Sequence, residues 1–120
     1  MVYLITGKSG AGKTHYAKAL AAELREEGQK VKVLDGDWFR AQTNNNDFSN
    51  EGRQLNLIHA AVLARLIEKE GFVAIVAFVA PKKKWRNQMR TFWKESKLIY
   101  LPGGSLWANT TYEKPDAEEL

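Results

Sequence analysis

The chain predicts an α/β fold, a mostly parallel four-stranded sheet flanked by helices in three layers. Three observations carry that expectation. Short apolar runs recur at 2–6, 31–34, 72–78 and 97–101, and the first and third are apolar throughout, as strands covered on both faces are. Helical spacing fills the segments between them, at about 12–27, 51–70 and 82–94. The resulting order β-α-β-α-β-α-β needs crossover connections, hence parallel pairing with helices on both sides of the sheet. The 120 residues, 44% of them hydrophobic, read as one domain over 1–120 with a real core, ending in a tail over 102–120 without clear secondary structure.

The first strand, Val2-Tyr3-Leu4-Ile5, leads into Gly7-Lys8-Ser9-Gly10-Ala11-Gly12-Lys13-Thr14, which fits G-x-x-x-x-G-K-[ST] without a mismatch. An ordinary Gly-rich turn is the plain alternative. The strand before and the helix after give the motif the context it needs, and the expected architecture becomes the P-loop NTPase three-layer sandwich. Gly7, Gly10 and Gly12 are expected to take positive φ and, with Ser9 and Ala11, to aim backbone N–H groups at phosphate oxygens. Lys13 would reach the β- and γ-phosphates of ATP and Thr14 Oγ would ligate Mg²⁺, while the helix behind turns its positive end toward the same anion.

In that helix Ala17, Leu20, Ala21 and Leu24 form an apolar stripe, and Gly28 is a natural C′ residue. The second strand ends in Asp35-Gly36-Asp37, where open α/β sheets hold their ligands. Residues 41–50, centred on Asn44-Asn45-Asn46-Asp47, read as a polar loop. Ser49 is a candidate N-cap for a helix running to Glu70, with Leu55, Ile58, Val62 and Leu66 as its apolar positions and Gly71 as its stop. Pro81 ends the third strand, and 82–94 reads as a helix with a basic outer face. Pro102-Gly103-Gly104 cuts off the fourth strand.

There are no cysteines, hence no disulfide and no thiolate metal site, which fits a cytoplasmic protein. The apolar start is too short for a signal peptide, and no run approaches the ~20 apolar residues of a membrane span. The net charge of +4 suits nucleotides and nucleic acid alike. Lys82-Lys83-Lys84-Trp85-Arg86 could touch nucleic acid. A solvated helix start with Trp85 packed on the sheet is the favoured reading, although lysines at a helix N-terminus oppose the dipole and invite an anion neighbour. His15 and His59 stand alone and do not read as metal ligands. Trp93 and Trp107 read as packing residues.

Phosphoryl transfer asks mainly for positioning, Mg²⁺ and charge stabilisation. The strand over 72–78 carries no acid at its end, so Asp35 and Asp37 are the candidates, one facing the metal and the other taking the acceptor's proton. Asp-Gly also favours a plain β-turn. Arg40, three residues after Asp37, would add a cation to the cleft.

These residues resemble the adenylylsulfate (APS) kinase family. The likeness runs through Gly7 to Thr14, Leu34-Asp35-Gly36-Asp37 with Arg40, Phe48-Ser49, Arg53 with Asn56, Val76-Ala77-Phe78-Val79-Ala80-Pro81, Arg86, Arg90 and Tyr112-Glu113-Lys114-Pro115. The resemblance implies transfer of the ATP γ-phosphoryl to the 3′-hydroxyl of APS, giving PAPS. It implies Lys13, Asp35 and Asp37 as catalytic residues, with Asp37 beside Thr14 at the metal. Asp37, Arg40, Phe48, Arg53, Asn56 and Val79 would hold the nucleotide substrate, with Phe48 stacked on its adenine. Arg forks suit phosphate and sulfate oxygens, and an Asn can donate to ribose or sulfate.

The departures are also specific. Leu55 stands where the family carries Glu, Ile58 and His59 where it carries an Arg pair, and Ala80 where it carries Ser. The lid, from Lys-Gly-Leu-Tyr through Phe-Thr-Gly-Ile, is missing, leaving Leu106, Trp107 and Tyr112 or a second subunit to cover the nucleotide. Two alternatives follow, a P-loop kinase for a different small acceptor and a lidless ATP-binding protein without turnover. The missing lid and the edge strand at 97–101 make a homodimer attractive.

Overall fold

The computed structural model describes residues 1–36, 50–105 and 111–120. Asp37, Arg40, Phe48, Ser49, positions 41–49 of the expected polar loop, Leu106 and Trp107 lie outside the described residues, and residue 50 belongs to a helix rather than to the loop. Seven elements follow in order: β1 (Val2–Thr6), α1 (Lys13–Glu26), β2 (Val31–Asp35), α2 (Asn50–Lys69), β3 (Val73–Ala77), α3 (Lys83–Arg90) and β4 (Ser96–Tyr100). The strands form one sheet in the order β2-β3-β1-β4, and every pairing is parallel. β3 lies between β1 and β2 and is buried at every position, which is why its run is continuously apolar.

Alternation along the strands divides the core. Ile5, Val31, Val73, Ile75 and Ala77 face α1 through Ala17, Ala21 and Leu24. Val2, Leu4, Leu34, Ala74 and Val76 face the opposite layer, where α2, Trp85, Met89 and Trp93 cover them. α1 stops in a Schellman arrangement: the Gly28 N–H donates to Arg25 O and the Gln29 N–H to Leu24 O, with Gly28 at φ 87°.

α2 packs on a different face from the one its large residues suggest. Leu55, Val62 and Leu66 are 50%, 41% and 53% exposed, while Leu57, Ala60, Ala61, Ala64 and Ile67 are buried. The alanines let the helix backbone approach the sheet, and the Trp93 indole N–H reaches Ala61 O at 3.0 Å. The inner face thus combines Leu57 and Ile67 with three alanines, whose small side chains let the helix lie close to the sheet.

α3 is shorter than its expected span, and within its basic stretch Lys84 is exposed while Lys83 and Arg86 are paired within the protein. Arg86 is fully buried. Its Nε and Nη2 meet the Glu119 carboxylate at 2.8 and 3.2 Å, Nη1 donates to Ala80 O at 2.8 Å, and Nη2 also donates to Glu113 O at 2.7 Å. The Glu113 carboxylate accepts the Lys83 N–H at 2.8 Å, supplying the cap that Lys82 does not. Lys83 pairs with Asp116. That hydrogen bond raises the lysine pKa and lowers that of the aspartate. The anion beside Lys83 is therefore the protein's own tail, and Trp85 is packed inward.

At the other end of the sheet Glu68 gathers the Lys94 and Glu95 N–H groups, Arg65 and the Met1 ammonium. Burial by itself would raise its pKa, but these donors outweigh it and hold the carboxyl at about 2, against an ordinary 4.5.

Two stability predictions follow from these networks. Glu119→Ala strands a buried guanidinium and should cost about 3 kcal/mol or more, read as a lowered urea midpoint. Glu68 contributes fully above the unfolded value near 4.5 and loses its contribution as pH falls toward about 2. Glu68→Gln should therefore flatten acid unfolding in that window, removing on the order of 2–3 kcal/mol of its pH dependence.

Candidate functional site

All four strands point their carboxyl ends the same way, so the loops after them meet at one edge of the sheet. An open cleft of about 230 Å³ lies there. It is lined by Ser9, Gly10, Gly12, Lys13 and Thr14 after β1, by Asp35 and Gly36 at the end of β2, and by Ala77 to Val79 at the exit of β3.

The loop between β1 and α1 has the geometry of an anion cradle. Gly10 and Gly12 have φ of 82° and 95°, conformations that admit glycine with little strain. Gly12 is the N-cap of α1 with no side-chain cap bond, so the first-turn N–H groups face the cleft mouth rather than a capping oxygen. Gly7 serves differently from the expected positive-φ turn. A Cβ there would stand 2.6 Å from Leu101 O, so its glycine is a matter of close backbone approach. Lys13 Nζ donates to Lys8 O at 2.8 Å, which curls the ammonium over the loop.

Asp35 reaches this loop from two strands away. It pairs in register with Ala77 of β3, and its position on the α1 face of the sheet places its side chain above that small residue. The Thr14 hydroxyl donates to Asp35 Oδ2 at 2.5 Å. A hydroxyl oxygen and a carboxylate oxygen held side by side are hard donors of the kind Mg²⁺ takes, with the remaining positions left to water and phosphate. Lys13, Thr14, Asp35 and Val79 thus converge on one cleft. Arg53 and Asn56 stand on the first turns of α2, Asn56 buried, and neither belongs to the described lining.

Two features of the site were not legible in the pattern. The chain leaving β4 runs along the cradle: Leu101 N–H donates to Thr6 O and Ser105 N–H to Ser9 O, both at 2.9 Å. Gly104, at φ 73°, lies so close that a Cβ would stand 2.4 Å from Ser9 O. The doublet Gly103-Gly104 directly after a strand was the available signal. Behind the loop, Tyr112 lies against Tyr100 with centroids 6.0 Å apart and touches Thr6 Oγ1 at 2.8 Å; it is not among the described residues of the cleft lining.

Comparison with known proteins agrees with this architecture. The family model for adenylylsulphate kinase matches residues 1–103. A probable adenylyl-sulfate kinase from Aeropyrum pernix is 39% identical over 102 residues, covering 84% of this chain and 56% of that protein. The Thiobacillus denitrificans hexameric APS kinase superposes with a TM-score of 0.82 at 33% identity, over 97% of this chain and 23% of that one. The Mycobacterium tuberculosis APS kinase CysC in complex with AMPPNP and APS gives 0.78 at 27% identity, over 83% and 61%. The chain spans about half the length of the curated relatives it matches. With a P-loop of this geometry and a family match over most of its length, the chain belongs to the adenylylsulphate kinase family.

Proposed function

We propose that the chain is an Mg-ATP-dependent kinase that transfers the γ-phosphoryl group to the 3′-hydroxyl of adenylyl sulfate. The observation that carries this reading is the Thr14–Asp35 contact at 2.5 Å, beside a glycine cradle in a family whose M. tuberculosis member has been seen with AMPPNP and APS. Mg²⁺, when bound, neutralises charge on the phosphates. Thr14 and Asp35 are the described oxygens suited to hold it, with Asp37, two residues further on, as a further ligand and the base for the acceptor hydroxyl. Lys13 would leave Lys8 O for the β- and γ-phosphates, and the first-turn N–H groups of α1 would bind the same anion. Arg40, Phe48, Arg53, Asn56 and Val79 are the proposed acceptor side.

A second reading keeps the donor site and changes the acceptor. It is favoured by Leu55, an exposed apolar residue on the turn between Arg53 and Asn56, where an acidic residue is the family's pattern. Localisation in the cytoplasm belongs to the proposal; among the described residues no helix is long and apolar enough to cross a membrane.

Incubation with ATP, Mg²⁺ and APS should yield PAPS, and Asp35→Ala should lower kcat at least about a hundredfold while an ATP analogue still binds. If APS gives no product and no thermal shift while another phosphorylated or sulfated metabolite does, the acceptor assignment fails and the second reading replaces it. Gly104→Ala forces a Cβ against Ser9 O and should weaken binding of an ATP analogue by about tenfold, measured by calorimetry, with the fold retained in circular dichroism.

A further inference from the structure

The turn leaving β3 carries the one non-glycine residue with positive φ among the described residues, Ala80 at φ 45°. An alanine keeps that conformation only where its surroundings over-determine it. Here three consecutive carbonyls are held. Val79 O accepts from the Thr6 hydroxyl at 2.5 Å, Ala80 O from Arg86 Nη1 at 2.8 Å, and Pro81 O from the Glu113 N–H at 2.7 Å.

Each of these donors belongs to the segment 112–119 or is fastened by it. Glu113 is part of it, and Arg86 is locked by Glu119. Thr6 is locked by Tyr112, and the direction of that bond follows from proton counting. A threonine hydroxyl has one proton, and Thr6 gives it to Val79 O. The 2.8 Å contact between Thr6 Oγ1 and Tyr112 Oη is therefore a donation from the tyrosine. A phenol carries its proton at neutral pH in any case, and burial raises the Tyr112 pKa further. Thr6 itself is fully buried and immediately precedes Gly7, while Val79 lines the cleft.

We propose that Tyr112 is a positioning residue for the cleft: through Thr6 it fixes the Val79 carbonyl and so the wall that the β3 exit presents to the acceptor. Its effect on an acceptor rests on the kinase reading above; its effect on Val79 does not.

The test uses the full chain with Tyr112→Phe, which keeps the ring against Tyr100, and Thr6→Val and Thr6→Ser as companions. Two readouts are taken: the carbonyl ¹³C resonance of Val79 in the unliganded protein, and calorimetric affinities for Mg-AMPPNP and for APS. Tyr112→Phe and Thr6→Val should move the Val79 resonance and weaken APS about fivefold, with Mg-AMPPNP changed by less than about twofold. Thr6→Ser, which retains the hydroxyl, should behave as the unsubstituted chain does. An unmoved Val79 resonance in Tyr112→Phe and Thr6→Val overturns the proposal, as do equal losses for both ligands, which would mark general loosening. If the unsubstituted chain binds no APS, only the acceptor assignment fails. The Val79 resonance then decides the positioning role by itself, supporting it if moved and refuting it if not.

Discussion

A guanidinium removed wholly from water must find partners for its charge and its donors, and the lower part of this structure is arranged around that requirement at Arg86. Its partners are a carboxylate nearly at the end of the described chain and the carbonyls of Ala80 and Glu113. Satisfying it draws the segment 112–119 across the start of α3 and the exit of β3. The same segment delivers the carboxylate that caps α3 and the phenol that meets Thr6. A buried pair of this sort is poor evidence of net stabilisation, since desolvation offsets much of the attraction. What it does supply is geometry, because alternatives that leave the charge unpaired are far costlier.

The cleft follows from a second constraint, the order of the sheet. With β3 beside β1 and β2 outside it, an acid at the end of β2 must reach over β3 to meet the P-loop. The residue in register with Asp35 on β3 is Ala77, small enough to leave that path clear. The usual position for such an acid, the end of the strand next to β1, is empty of carboxylates here. The contact between Thr14 and Asp35 restores an oxygen pair by a longer route. On the opposite flank, the chain after β4 lies on the cradle through Gly104 and Ser105, so the loop is flanked by a side chain from the end of β2 and by backbone from beyond β4.

Much of this was readable from local pattern. Continuous apolar runs located β1 and β3, the glycines at 28 and 71 located helix ends, and the P-loop motif located the anion cradle. These signals are short-range: backbone conformation at a glycine, or a strand covered on both faces, needs no knowledge of distant partners. The inner face of α2 escapes the pattern because Leu55, Val62 and Leu66 keep a helical spacing as good as that of Leu57, Ala60, Ala64 and Ile67, and spacing alone does not choose between the two stripes. The alanines that face the sheet were chosen by the closeness of approach. The local pattern around Gly7 suggests a turn, yet the reason for glycine there is Leu101, ninety-four positions away.

By itself, the sequence determined that a parallel α/β unit carries a phosphate-binding loop and two acids at a strand end, since each of those depends on residues adjacent in the chain. The tertiary structure alone decided that Asp35 meets Thr14, that Gly103-Gly104 lies along the cradle, and that Arg86 is a buried anchor rather than part of a basic surface. Those outcomes depend on sheet order and on pairs separated by tens of residues. Which partner satisfies a buried group is set by what the fold brings within hydrogen-bonding distance, and no local window of sequence contains that information.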